Sequence, residues 1–172
     1  MERLVGNKAP NFNLTAVKGD GSEFINVKLE DYKGKWLILF FYPLDFTFVC
    51  PTEITGFSKS VDLFRKEDAE VLGVSVDSEF SHKAWIESTL GKIGYPLASD
   101  FNKTVAKEYG VLLEEGFALR GLFIVDPEGL IQYSVVHNTN VGRSTEEVLR
   151  VLKACKTGGL CPVNWTEGEE LL

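Results

Sequence analysis

Cysteine and histidine are scarce in this chain of 172 residues, which contains three cysteines and two histidines. An odd number of cysteines fits poorly with a framework of structural disulfides. His82 and His137 do not have the close spacing that zinc ligands show, so we expect no metal and no other cofactor. We therefore interpret each cysteine as an individual thiol.

Excess positive charge and long apolar runs are also lacking. The net charge is −7 and no basic cluster occurs, which makes nucleic acid and anionic membranes poor partners. The apolar run at residues 36–42 is far shorter than the roughly 20 residues of a membrane-spanning helix. The first residues do not resemble a signal peptide, so we expect a cytoplasmic protein, in a compartment where thiols stay reduced.

A junction between a strand and a helix dominates what is present. Residues 36–42, Trp-Leu-Ile-Leu-Phe-Phe-Tyr, end at Pro43 and predict a strand that is buried on both faces. Apolar residues then recur at helical spacing after Cys50, and Pro51 suits the first position of a helix. Cys50 is thus predicted at a helix N-terminus, where the helix dipole favours a thiolate.

The rest of the chain alternates between strand and helix patterns. Strands are predicted at residues 12–15, 24–29, 70–77, 122–125 and 130–136, and helices at 80–90, 102–109 and from 144 or 145 onward. A strand, a helix and a strand in succession make a parallel crossover, and the last two strands make an antiparallel hairpin. The sequence predicts an α/β protein, a thioredoxin-like mixed sheet flanked by helices, with an N-terminal β extension.

Length and composition suit one domain over residues 1–172, because 44% of the residues are hydrophobic. Residues 156–172 are rich in glycine and then acidic. We expect them to form an extended, mobile C-terminal tail. Trp165 in this tail is predicted to contact a neighbouring subunit.

The surroundings of Cys50 restrict its chemistry. No second cysteine follows in Cys-Pro-Thr-Glu, so the paired cysteines of a thioredoxin-type motif are missing. Cys50 therefore acts alone or with a cysteine that is distant in the sequence. Thr47 precedes it in a turn, where the hydroxyl can serve a group at the sulfur or simply bond the backbone. An inert buried thiol is the competing interpretation, but the helix N-terminus favours reactivity.

Residues 40–53, Phe-Phe-Tyr-Pro-Leu-Asp-Phe-Thr-Phe-Val-Cys-Pro-Thr-Glu, resemble the active-site stretch of typical two-cysteine peroxiredoxins of the alkyl hydroperoxide reductase type. The resemblance continues in the expected order at residues 73–78, 123–127, 141–144 and 160–165. It implies an antioxidant oxidoreductase, a thiol-dependent peroxidase that reduces hydrogen peroxide and alkyl hydroperoxides to water or alcohol.

The resemblance also implies catalytic roles for individual residues. Cys50 would be the peroxidatic thiolate, shielded from solvent by Pro43. Thr47 would bind the peroxide, and Arg120 would stabilise the thiolate and polarise the O–O bond. Cleavage of an O–O bond needs a nucleophile, a group that orients the peroxide and a cation facing the developing charge. These residue types supply all three.

Two further residues match positions that hold the arginine in place. Glu53 would pair with Arg120, and Arg143 would support both. A carboxylate close to a thiolate opposes its ionisation unless a cation lies between them, which favours this pairing. Alone, Arg120 would be interpreted as a surface arginine at the start of a strand, and Glu53 as an ordinary carboxylate in the first turn of a helix.

Cys161 resembles the resolving cysteine, which the other subunit of a homodimer would supply to form an intersubunit disulfide with Cys50. The segment 156–160 before it is shorter than expected for the family. Cys155 matches no family cysteine and falls on an apolar helix face, so we expect a buried, inert thiol. The alternative is that Cys155 joins Cys161 in a relay or in docking to a reductant.

The expected partners follow from the same resemblance. They are a hydroperoxide substrate, a thioredoxin-like or flavoprotein reductant, and further copies of the chain in a homodimer that assembles into a decamer ring. Two other functions remain open, a thiol–disulfide carrier and a ring-forming holdase chaperone without peroxidase activity. Neither gives a reason for a threonine and an arginine around a single thiol.

Overall fold

One mixed sheet of seven strands organises the computed structural model, which describes residues 3–172. The strands are β1 (Asn13–Val17), β2 (Phe24–Lys28), β3 (Trp36–Phe41), β4 (Ala69–Ser75), β5 (Leu97–Ser99), β6 (Arg120–Val125) and β7 (Ile131–His137). The helices are α1 (Cys50–Lys66), α2 (Glu79–Trp85), α3 (Thr104–Glu108) and α4 (Thr145–Thr157). The strand order is β2-β1-β5-β4-β3-β6-β7, which confirms the predicted mixed sheet with an N-terminal β extension.

Strand β3 lies at the centre of the sheet and is buried on both faces, as its sequence predicts. It pairs in parallel with β4 and antiparallel with β6. Ile38 and Phe40 face the core that contains α1 and α4, whereas Leu37 and Leu39 face the core that contains α3. Successive side chains of a strand point to opposite faces, so a continuous apolar run suits a strand between two layers of helices.

The predicted elements are present with shifted boundaries. The helix predicted at residues 80–90 is α2 followed by a π-helical turn at Ile86–Leu90. The strand β5 was not predicted, because its three residues follow Pro96 and are too few to show an alternating pattern. It pairs with β4 and β1 and thereby joins the N-terminal hairpin to the central sheet.

The prediction of an extended C-terminal tail is wrong. Trp165 is only 4% exposed within its own chain, and its carbonyl oxygen accepts a hydrogen bond from Arg150 Nη1 of α4 at 2.7 Å. The last residue also returns to the start of the tail, where the backbone N–H of Leu172 donates to the Leu160 carbonyl at 2.9 Å. The indole Nε1 of Trp165 also donates to the Glu169 carbonyl at 3.1 Å, so the tail folds on itself as well as against α4, although it is rich in glycine and acidic residues.

The sheet register brings two distant parts of the chain to one end of β3. Because β6 runs antiparallel to β3, with Phe40 opposite Leu122, the first residue of β6 lies beside the last residues of β3. That first residue is Arg120. The chain leaves β3 at the same end to form the loop that leads to Cys50. The topology therefore places Arg120 next to the N-terminus of α1.

Candidate active site

Cys50 is the first residue of α1 and is 1% exposed. Pro51 follows in the first turn, where its missing N–H needs no partner. The predicted helix start is therefore confirmed. Ile54, Phe57, Val61 and Phe64 recur along the helix and bury its inner face against the sheet. This packing fixes the direction of α1 and holds the sulfur at the end of β3.

Arg120 is the cation next to the sulfur. Its Nη1 atom lies 3.4 Å from Cys50 Sγ and also donates to Glu53 Oε2 at 2.7 Å. Its Nε atom donates to the carbonyl oxygen of Thr139 at 2.8 Å, which fixes the guanidinium from the opposite side. The side chain is 4% exposed, so little solvent screens its charge at the sulfur.

Glu53 links the two arginines that sequence analysis predicted to act together. Arg143 approaches it in a fork, with Nε 2.8 Å from Oε1 and Nη2 2.8 Å from Oε2. Burial acts to raise the pKa of Glu53, but the hydrogen bonds and charge of Arg143, together with the charge of Arg120, outweigh it and hold the pKa below its usual value. Glu53 is thus an anion that orients Arg120 while its own charge is neutralised.

Arg143 is anchored by backbone as well as by Glu53. Its Nη1 atom donates to the carbonyl oxygens of Phe41 at 2.8 Å and Gly121 at 2.7 Å, at the adjoining ends of β3 and β6. Its guanidinium carbon lies 5.3 Å from the centre of the Phe40 ring, a cation–π arrangement. These contacts fix the loop before α4 to the ends of β3 and β6, next to the active site.

The loop between β3 and α1 carries Pro43 and Thr47. Pro43 is buried, and Thr47 is half-buried. The Thr47 hydroxyl donates its proton to the carbonyl oxygen of Leu44 at 3.0 Å, which leaves oxygen lone pairs to accept a hydrogen bond from another group. Of the two uses predicted for this hydroxyl, the bond within the loop is the one observed.

A buried polar network that sequence analysis missed supports this loop. The carboxylate of Asp45 accepts hydrogen bonds from the hydroxyls of Tyr42 and Ser81, both at 2.8 Å, and its Oδ2 lies 2.7 Å from His82 Nδ1. His82 Nε2 lies 3.0 Å from the carbonyl oxygen of Ala98. The network joins the loop to α2 and β5. A lone histidine between Ser81 and Lys83 gives no signal for this role in the sequence.

Cys161 packs against the last turns of α4, the helix that carries Cys155. Cys161 Sγ lies 3.4 Å from Thr157 Oγ1 and 3.7 Å from the carbonyl oxygen of Ala154. Cys155 sits in the same turn of α4 and is half-buried rather than fully buried as expected. Burial and the charge of Cys161 raise the pKa of Cys155. All three cysteines are free thiols.

Comparison with known proteins identifies the family to which this chain and its architecture belong. Residues 5–134 match the AhpC/TSA family. A Clostridium pasteurianum protein described as a peroxiredoxin in the rubredoxin operon is 61% identical and aligns over 100% of both chains. The chloroplastic 2-Cys peroxiredoxin BAS1 of Hordeum vulgare is 54% identical over 97% of this chain and 84% of its own.

Solved structures give the same result. The reduced 2-Cys peroxiredoxin of Plasmodium vivax superposes with a TM-score of 0.96 at 39% identity, covering 99% of this chain and 93% of its own. Mycobacterium tuberculosis AhpC superposes with a TM-score of 0.85 at 42% identity, covering 94% of this chain and 97% of its own. The chain belongs to the AhpC/TSA family of peroxiredoxins.

Membership settles the class of reaction. The protein is a thiol-dependent peroxidase with the thioredoxin-like peroxiredoxin fold, its substrate is a hydroperoxide, and it assembles into oligomers. The alternatives of a thiol–disulfide carrier or a holdase without peroxidase activity are not favoured. In residues 3–172, none of the helices is both long enough and apolar enough to cross a bilayer.

Proposed function

We propose that this peroxiredoxin reduces hydrogen peroxide and alkyl hydroperoxides through a sulfenic acid at Cys50 and an intersubunit disulfide between Cys50 and Cys161. The observation that carries the proposal is the position of Arg120 Nη1, 3.4 Å from Cys50 Sγ and held there by Glu53. A buried guanidinium beside the sulfur stabilises a thiolate, which is the form that attacks peroxides.

The first step is displacement at the peroxide. The Cys50 thiolate attacks the terminal oxygen, the O–O bond breaks, and water or an alcohol leaves after it gains a proton. Thr47 accepts a hydrogen bond from the attacked O–H, because its own proton is committed to the Leu44 carbonyl. Arg120 faces the charge that develops on both oxygens, and Pro43 keeps bulk water from the sulfur. Each role uses a group that is already oriented in the resting enzyme.

The second step is condensation. The thiol of Cys161 from the neighbouring subunit attacks the sulfenic acid, releases water and forms the disulfide. Cys50 is 1% exposed, so the first turn of α1 must unwind before its sulfur can meet another chain. Cys161 must also leave its contacts with Ala154 and Thr157. An external dithiol protein, thioredoxin-like or a flavoprotein, then restores both thiols by exchange.

An exposed aromatic surface around α2 supports assembly beyond the dimer. Phe80 of α2 packs against Phe24, with ring centres 5.3 Å apart, and Phe46 packs against Trp85 at the end of the same helix, at 5.8 Å. Phe24, Phe46 and Phe80 are 39%, 55% and 67% exposed, respectively. Contiguous exposed aromatic residues are typical of interfaces between proteins. We propose that this surface joins homodimers into a decamer ring. Replacement of Phe80 by arginine is expected to leave dimers in sedimentation velocity, whereas an unchanged large species would contradict this role.

We also propose a cytoplasmic location. The proposed cycle ends in reduction by a dithiol protein, and a reducing compartment supplies such proteins continuously. The three free thiols of the resting enzyme are compatible with that environment. Fractionation of cells followed by detection of the protein tests the location, and recovery from an oxidising compartment would contradict it.

The disulfide tests the proposed cycle. After one equivalent of hydrogen peroxide, wild-type protein should form a dimer that is covalent on a non-reducing gel at early times and carries a peptide linking Cys50 to Cys161. Cys161→Ser protein should instead hold a sulfenic acid at Cys50 that a dimedone-type reagent traps. Normal disulfide formation in Cys161→Ser would contradict Cys161 as the resolving residue. An unreacted Cys50 in both proteins would contradict the proposal as a whole.

A further inference from the structure

We propose that Cys155 is a third redox-active cysteine, which takes Cys161 out of the Cys50–Cys161 disulfide and forms an intrachain Cys155–Cys161 disulfide. The inference rests on the proposed function, because it starts from the disulfide of that cycle. It assigns a role to a thiol that the family's reaction does not require, and it gives the enzyme a second dithiol centre at the end of α4.

The position of Cys161 is the first argument. Its sulfur lies 3.7 Å from the carbonyl oxygen of Ala154, the residue immediately before Cys155, and 3.4 Å from the hydroxyl of Thr157. Both groups belong to the last turns of α4, which also carry Cys155. The backbone returns at Gly158, whose positive φ of 67° ends the helix and turns the chain back over it. The fold thus brings Cys161 back to the turn that holds Cys155.

The short connection between the two cysteines is the second argument. Residues 156–160 separate them, so Cys161 stays within roughly 20 Å of Cys155 however the tail moves. Closing such a short loop costs little entropy compared with a meeting of two molecules. When Cys161 returns to α4 while still bonded to Cys50, the disulfide therefore lies close to Cys155 of the same chain. Exchange with Cys155 then precedes reduction by an external dithiol.

The exchange balances without another reactant. The thiol of Cys155 loses its proton to solvent, and the thiolate attacks the sulfur of Cys161. The bond from Cys161 to Cys50 breaks as the bond from Cys155 to Cys161 forms, and Cys50 leaves with the electron pair as a thiolate. The number of disulfides is unchanged, and the oxidising equivalents move from the active site to the surface of α4.

The surroundings of the sulfurs favour this direction. Cys50 leaves into contact with Arg120, and a stabilised thiolate is the better leaving group. Cys155 is half-buried, and burial and the charge of Cys161 raise its pKa. In the Cys50–Cys161 disulfide, Cys161 carries no charge. Its contribution to the raised pKa of Cys155 is therefore absent at the exchange step. A raised pKa also prevents Cys155 from competing with Cys50 for peroxide, because the thiolate is the reactive form.

Peroxide stoichiometry without any reductant tests the relay. Reduced wild-type protein, Cys155→Ser and the control Ala154→Ser receive one equivalent of hydrogen peroxide per chain and, after reaction, a second equivalent. A relay frees Cys50 after the first addition, so wild type and Ala154→Ser should consume both equivalents. Cys155→Ser should consume only the first and remain a covalent dimer. Disulfide-linked peptides, mapped at each stage, should show Cys155–Cys161 in the two proteins that retain Cys155 and not in Cys155→Ser.

Three results would overturn the relay. One is wild-type protein that stops after the first equivalent with Cys50–Cys161 intact and Cys155 open to alkylation. Another is a Cys50–Cys155 peptide, which would make Cys155 a resolving residue. The third is consumption of both equivalents by Cys155→Ser. The peptide maps of the wild type decide the question even if Cys155→Ser folds poorly. Absence of a Cys50–Cys161 disulfide in every protein, including Cys155→Ser, would instead contradict the proposed function.

Discussion

Glu53 and Arg143 meet in a buried fork, with Arg143 Nε 2.8 Å from Oε1 and Nη2 2.8 Å from Oε2. Both side chains are almost fully buried, at 2% and 1% exposure. The same carboxylate holds Arg120, whose Nη1 also reaches Cys50. The pair therefore connects the stability of the fold with the charge beside the sulfur. Loss of the Glu53–Arg143 pair should therefore change both the stability of the fold and the charge beside the sulfur.

Replacement of Glu53 by glutamine should destabilise the protein, because two buried guanidinium groups lose the anion between them. Removal of one partner of a buried ion pair costs about 3–5 kcal/mol in the free energy of unfolding. Urea denaturation measures this. Glu147→Gln is the matched control, since Glu147 also pairs with an arginine, Arg150, but is 47% exposed, and such pairs contribute only about 0–1 kcal/mol. Equal effects of the two substitutions would contradict the role of burial.

The same carboxylate predicts how stability depends on pH. The folded protein holds the pKa of Glu53 below its ordinary value of 4.5. A group with a lowered folded-state pKa binds fewer protons when folded, so its stabilisation is complete above that ordinary value and is lost as the pH falls through the lowered one. The difference in unfolding free energy between wild type and Glu53→Gln should therefore shrink on acidification below about pH 4.5. A difference that is constant across this range would contradict the assignment.

Much of this site was predictable from sequence, but the reasons differ between residues. The apolar strand ending at Pro43 and the helical spacing after Cys50 are local patterns, and local patterns locate elements well. Arg120 and Arg143 are far from Cys50 in sequence and carry no local signal. Their place beside it was predicted only through resemblance to a family. The structure supplies the reasons: antiparallel pairing of β6 with β3 places Arg120, and hydrogen bonds to Glu53 and to the ends of β3 and β6 place Arg143.

Two features could not be predicted from sequence. The network of Tyr42, Asp45 and His82 depends on contacts between the loop after β3 and α2, and a lone histidine gives no indication of its partners. The folded tail buries Trp165 and bonds its carbonyl to Arg150, among residues whose composition favours an extended chain. In both cases tertiary contacts outweigh local preference. Composition alone gives no indication of the surface on which such a tail docks.

Replacement of Arg120 by lysine should slow oxidation of Cys50. Lysine keeps the charge but cannot reach Cys50, Glu53 and the Thr139 carbonyl at once, as the planar guanidinium does. Loss of one preorganised donor in an active site typically costs about 100-fold to 1000-fold in rate. Stopped-flow measurement of the second-order rate constant checks this. Arg65→Lys, on the exposed end of α1, is the control, and a comparable decrease there would contradict a specific role.

The contribution of Thr47 to the rate of reaction with peroxide should come from its hydroxyl and not from the shape of its side chain. Valine has nearly the same shape but accepts no hydrogen bond, so Thr47→Val should slow reaction with peroxide by about tenfold to a hundredfold. Thr47→Ser retains the hydroxyl and should recover most of the rate. The measurement is the same rate constant. If Thr47→Val reacts as fast as the wild type, or Thr47→Ser as slowly as Thr47→Val, the hydroxyl does not bind the peroxide.

The central claim is that Cys50, beside Arg120, performs the peroxide chemistry without help from the other cysteines. Its most direct test is the rate of peroxide reduction by the Cys155→Ser, Cys161→Ser double variant, in which Cys50 is the sole cysteine. We predict that this protein reacts as fast as the wild type in the first turnover, consumes one equivalent and holds one sulfenic acid at Cys50. Reaction as slow as that of free cysteine, or no sulfenic acid at Cys50, would contradict the account.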